Sequence, residues 1–123
     1  MERIYLSIEE ALQKGYTHAA TEEGFIHDHP FNFTTHILKG GYVERIYEIQ
    51  PNGEVLISEV YREEDSSHFV PADLIHEIIE LPYGDCYTVI TPQPWEREVH
   101  FWKFEDVKIL NRRWDETEFK IVE

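Results

Sequence analysis

A chain of 123 residues is of ordinary domain size, and with 41% hydrophobic and 14% aromatic residues it can bury one core, so a single domain over residues 1–123 is expected. Its 25 acidic against 11 basic side chains give a net charge of -14, which repels phosphate backbones and anionic headgroups and excludes nucleic acid and membrane surfaces as partners. Met1 to Leu6 lacks the apolar core of a signal peptide and no later segment is long enough to span a bilayer, so a cytoplasmic protein is expected.

The first predicted element is a short helix, with Ser7 as its cap, Glu10 completing a Ser-x-x-Glu capping box, Ala11 and Leu12 favouring helix, and Gly15 ending it. From Phe25 onward, aromatic and β-branched runs alternate with turn signals, the layout of an all-β sandwich or barrel. Phe33 to Leu38 reads as a strand, Gly40-Gly41 as a bend, and Tyr42 to Ile49 as a second strand. Pro51-Asn52-Gly53 then reverses the chain, because Pro presets the first turn residue and Asn and Gly accept positive φ. Glu54 to Tyr61 should therefore return antiparallel.

Arg62 to His68 is polar and predicts a loop. Ala72 to Leu81 fits both periods, helical through Leu74, Ile75, Ile78 and Ile79, and alternating from Ile75 to Leu81; its isoleucines between strand signals favour a strand from about Leu74. Pro82-Tyr83-Gly84-Asp85 is a turn, Cys86 to Thr91 an apolar strand, and Pro92-Gln93-Pro94 a break. Val99 to Phe104, Val107 to Leu110 and Glu118 to Val122 predict further strands. Cys86, the one cysteine, cannot form an internal disulfide and reads as a small buried filler rather than a nucleophile.

His27-Asp28-His29 places two imidazoles at i and i+2, which on an extended segment share one face and reach one metal ion. With seven histidines in the chain, such a pair alone reads more simply as two solvated loop residues. A second block strengthens it: Pro71 precedes His76 by five residues at the start of a predicted strand. Together the blocks resemble the two motifs of cupins, a His-x-His followed about ten residues on by a glycine, here Gly40 or Gly41, and then a Pro-x-Gly-x-x-His block. His27 to Phe31, Ile37 to Glu44, Thr88 to Pro92 and Phe101-Trp102 look like a group of small microbial cupin-like proteins.

The resemblance spans Phe25 to Trp102 and implies a cupin double-stranded β-helix, a small β-barrel or jelly roll, with one divalent transition metal (Fe, Zn, Ni or Mn) on His27, His29 and His76. This sequence departs from the pattern in several places. Phe33 and Thr34 occupy the usual carboxylate positions, Asp73 stands where glycine is usual, Glu80 where asparagine often follows, and Thr21 replaces the leading glycine. A neutral three-histidine site is then the simplest expectation.

Strand parity leaves His36 open: it points inward if Gly41 marks the register, and outward, with Phe33 inward, if Gly40 does. Glu44 is either a base or partner to a ligating histidine, or an exposed strand residue; Arg97 either clamps a substrate carboxylate or pairs with Glu96 or Glu98. His68 and His100 read as structural or exposed. The expected function is a metal-dependent cupin, an oxygenase or isomerase acting on a small anionic metabolite; the alternatives are a non-catalytic small-molecule-binding module or a metal-free structural barrel. A homodimer formed through edge strands is expected.

Overall fold

The computed structural model of the protein describes residues 17–20, 26–105 and 108–122. The expected helix from Ser7 to Gly15 lies outside the described residues. The strands are β1 (Thr17–Ala20), β2 (Phe33–Lys39), β3 (Gly41–Ile49), β4 (Val55–Glu63), β5 (Ser67–Val70), β6 (Ile75–Glu80), β7 (Cys86–Pro92), β8 (His100–Glu105), β9 (Lys108–Arg113) and β10 (Lys120–Ile121). The described residues contain no helix, and so none long and apolar enough to cross a membrane.

β2 and β3 lie in different sheets, and Gly40-Gly41 carries the chain from one to the other. Gly40 has φ +86°, and a Cβ there would stand 2.8 Å from the Asp85 carbonyl oxygen; only glycine meets both demands without strain. One sheet runs β1-β7-β2-β5. In the other, β4-β3-β6 and β10-β9-β8 are joined, among the described residues, through His27, which bridges His76 on one side and Phe101 on the other.

The β3–β4 hairpin is in register from Gly41↔Glu63 to Ile49↔Val55, as Pro51-Asn52-Gly53 predicts. Gly53 takes φ +87° and the Asn52 side chain accepts the Glu54 N–H at 3.0 Å, which closes the turn. The ambiguous segment is strand, β6, antiparallel to β3 with a bulge between the Val43↔Glu80 and Glu44↔Ile78 pairs. The expected loop over Arg62 to His68 is shorter than polarity suggested. Strand β4 continues through Glu63 and β5 begins at Ser67, because both are held in ladders, to β3 and to β2.

Ile37 from β2, Tyr42 from β3 and Cys86 from β7 pack together with Ile78 and Leu81, so the core draws on both sheets. Cys86 is fully buried there and burial pushes its thiol pKa up, the opposite of what a nucleophile needs.

Candidate metal centre

His27 and His76 exchange backbone hydrogen bonds, N–H to carbonyl, at 2.9 and 3.0 Å. Such a pair sits directly opposite across an antiparallel contact, and its side chains leave on the same face. His29 is two residues further along the same face, and its N–H donates to the Ala72 carbonyl at 2.9 Å. The sequence thereby brings three imidazoles together from segments almost fifty positions apart.

One nitrogen from each of His27, His29 and His76 lies within 4.8 Å of the others. The His29 and His76 Nε2 atoms are 3.1 Å apart, and ring centroids in the cluster are separated by 4.8 to 5.0 Å. Imidazole nitrogens bound at about 2.0–2.1 Å from one ion lie roughly 3 Å from each other, so the His29–His76 spacing fits a shared metal. His29 is buried, and burial together with neighbouring His76 and His27 pushes its pKa down to about 2, which leaves a neutral ring with a lone pair to offer. Its Nδ1 is sealed from solvent without a hydrogen bond.

Glu44 stands beside the cluster. It pairs with Ile78 while Ile46 pairs with His76, so Glu44 and His76 are diagonal neighbours on one face of the sheet. The Glu44 carboxylate is 0% exposed and accepts from His76 Nδ1 at 3.3 Å, which turns the His76 Nε2 lone pair toward His29. Arg62 donates to its other oxygen at 3.1 Å, and His68 Nε2 lies 3.7 Å from that oxygen. Burial would raise the Glu44 pKa, but His76 and Arg62 outweigh it and hold the carboxyl below its ordinary range. His68 is pushed down to about 4 by burial and by Arg62, and it hydrogen-bonds the Tyr42 hydroxyl at 3.2 Å.

The remaining candidates lie elsewhere. Phe33, Thr35 and Ile37 alternate inward along β2, the register that Gly40 marks, and the Phe33 ring packs edge-on to His29 at 5.2 Å. His36 therefore points away from the cluster, bonded to Ser67 Oγ at 2.6 Å and paired with Asp65 at 3.2 Å, and it is not among the grouped ligand atoms of His27, His29 and His76. Arg97 pairs with Asp28 at 3.1 Å instead of with Glu96 or Glu98, and its guanidinium is on the opposite face of the sheet from the histidines. A groove of about 470 Å³ on that outer face is lined by Asp28, Arg97, Tyr47, Leu74 and Trp102, and is separate from the triad.

No family model and no curated protein matches the sequence. Among solved structures the chain is similar to the capsular polysaccharide assembling protein CapF from Staphylococcus aureus, with 19% identity and a TM-score of 0.50 over 66% of this chain and 23% of CapF. It is also similar to recombinant oxalate oxidase in complex with glycolate, with 15% identity and a TM-score of 0.48 over 68% of this chain and 41% of that one. The chain thus spans about a quarter of CapF and under half of oxalate oxidase. At these identities the likeness is one of fold, and the fold is the all-β cupin fold.

Proposed function

We propose that this chain is a metal-dependent cupin in which His27, His29 and His76 hold one divalent transition metal, and that it is an enzyme of oxygenase or isomerase type acting on a small anionic metabolite. The observation that carries this reading is the convergence of the three imidazoles, whose ligating atoms fall within 4.8 Å of one another. A metal held there supplies Lewis acidity and open coordination positions.

The chain's own residues set the terms for what binds. Three neutral imidazoles leave the positive charge of an ion uncompensated, which favours an anionic partner. Glu44 holds the His76 Nδ1 proton and fixes that ring, while Arg62 keeps Glu44 ionised. Phe33 walls one side of His29, and an edge-to-face series continues through Phe31 to Trp95, which is 62% exposed. These rings offer an apolar surface to the body of a ligand.

One observation favours a non-catalytic binding module as the second reading. The metal-ligating group contains no carboxylate among the described residues, and Glu44, the carboxylate hydrogen-bonded to the triad there, is already committed to His76 and Arg62. Pairing of two copies belongs to the same proposal. Strand β4 is a sheet edge among the described residues, and it exposes Leu56 and Ile57 on opposite faces.

The test is elemental analysis of protein purified without a histidine tag, wild type beside a His27→Ala, His76→Ala double variant. About one iron, zinc, nickel or manganese per wild-type chain, absent from the variant, is expected. Wild type that stays metal-free after anaerobic incubation with Fe(II) and Zn contradicts the proposal.

A further inference from the structure

Asp28 lies between two of the proposed ligands, yet its side chain leaves the sheet on the other face. There its carboxylate, 1% exposed, accepts from the His100 N–H at 2.6 Å, the Trp102 indole N–H at 3.0 Å and the Arg97 guanidinium at 3.1 Å. A buried carboxylate met by several donors, one of them charged, has a single satisfied orientation. Arg97 also donates to the Ala72 carbonyl at 2.9 Å, and that same carbonyl accepts the N–H of His29. The Arg97 N–H in turn donates to the Pro30 carbonyl at 3.2 Å. One guanidinium therefore ties together the segment bearing His27 and His29, the approach to the strand bearing His76, and the segment leading into β8.

The need for such a tie follows from the local structure. His76 stands within β6, in a ladder with β3, whereas His27 makes only an isolated bridge on each side and His29 belongs to no strand. The reciprocal backbone bonds set His27 opposite His76, but they leave His29, held by its one N–H to Ala72, to be placed by something else. We propose that the Asp28–Arg97 pair, with Trp102 as a further donor, is the positioning device of the triad. It sets metal affinity and geometry from the opposite face of the sheet without touching the metal. This rests on the metal-centre reading above.

Cobalt(II) is the probe, titrated into metal-free protein and read through its visible absorption bands. Asp28→Asn keeps the side chain's shape but presents an amide N–H₂ where a donor must be accepted, and Arg97→Gln removes the bridge to Ala72. Each is expected to weaken cobalt binding roughly 10- to 100-fold and to alter the bands, and Trp102→Phe, which removes one donor, to do so less. Arg45→Gln removes an ion pair to Glu59 and Glu77 on the same sheet and is expected to leave affinity and bands unchanged. Wild-type affinity and spectrum in Asp28→Asn and Arg97→Gln overturn the inference, as does an equal loss in Arg45→Gln. If the first two variants do not fold, Trp102→Phe decides, and an unchanged titration overturns the inference. Wild type that takes up no cobalt overturns the metal centre itself, a failure distinct from the others.

Discussion

Glu44 is a charge wholly removed from water, tolerable only because Arg62, His68 and His76 surround it. Glu44→Gln keeps the volume but turns an amide N–H₂, a donor, toward the donors of His76 or Arg62. It is expected to lower unfolding free energy by about 1–3 kcal/mol, read by urea denaturation, and to weaken metal binding roughly 10-fold or more. A neutral effect on both would show that Glu44 neither holds His76 nor answers Arg62. The depressed histidines carry a pH signature. His29, about 2 folded, and His68, about 4 folded, both start from 6.5, so below that value the unfolded chain takes up protons that the folded one refuses. Their effect is nil above pH 6.5 and erodes stability as pH falls through the window down to those folded values. Glu44, depressed as well, loses its contribution in the same direction as pH falls through its folded pKa. The melting temperature of metal-free protein is expected to decline steadily from pH 6.5 downward, and His68→Gln to soften the decline above pH 4; a flat profile would contradict buried, neutral His29 and His68.

At the scale of elements, the bend between β2 and β3 matters most, because it decides which side chains of each strand face inward. Gly40→Ala would drive a Cβ to 2.8 Å from the Asp85 carbonyl oxygen at φ +86°, whereas Gly53→Ala, at φ +87°, meets nothing within 4 Å. The second substitution carries only the left-handed strain of about 1–2 kcal/mol, and the first should exceed it clearly in thermal unfolding; equal effects would mean the bend relaxes freely. The hairpin at Pro51-Asn52-Gly53 was legible because its turn chemistry is local, and His27, His29 and His76 because the paired motifs resemble those of cupins. The clamp on Asp28 was not, since its donors His100 and Trp102 lie 72 and 74 positions away, Arg97 is almost as distant, and nothing nearby marks the residue between two histidines as buried. β5 was hidden by its polarity: Ser67 and His68 read as loop and become strand only through pairing with β2. Two open parities, at His36 and at Glu44, needed the register of β2 and β3 to resolve them.

For the molecule as a whole, the two sheets share a core but, among the described residues, leave β4 as an edge with exposed apolar side chains. Leu56 and Ile57 are 55% and 58% exposed, and pairing of copies through this edge would set each beside side chains of the partner's β4. Sedimentation velocity should find wild type as a dimer and a Leu56→Lys, Ile57→Lys variant as a monomer; wild type sedimenting as a monomer would contradict pairing through β4. The metal centre is the claim on which the functional account depends, and anomalous diffraction from crystals grown with zinc or Fe(II) tests it most directly. The account predicts one anomalous peak at about 2.0–2.1 Å from the Nε2 atoms of His29 and His76 and from a ring nitrogen of His27. A peak elsewhere, or none among these rings, would contradict it.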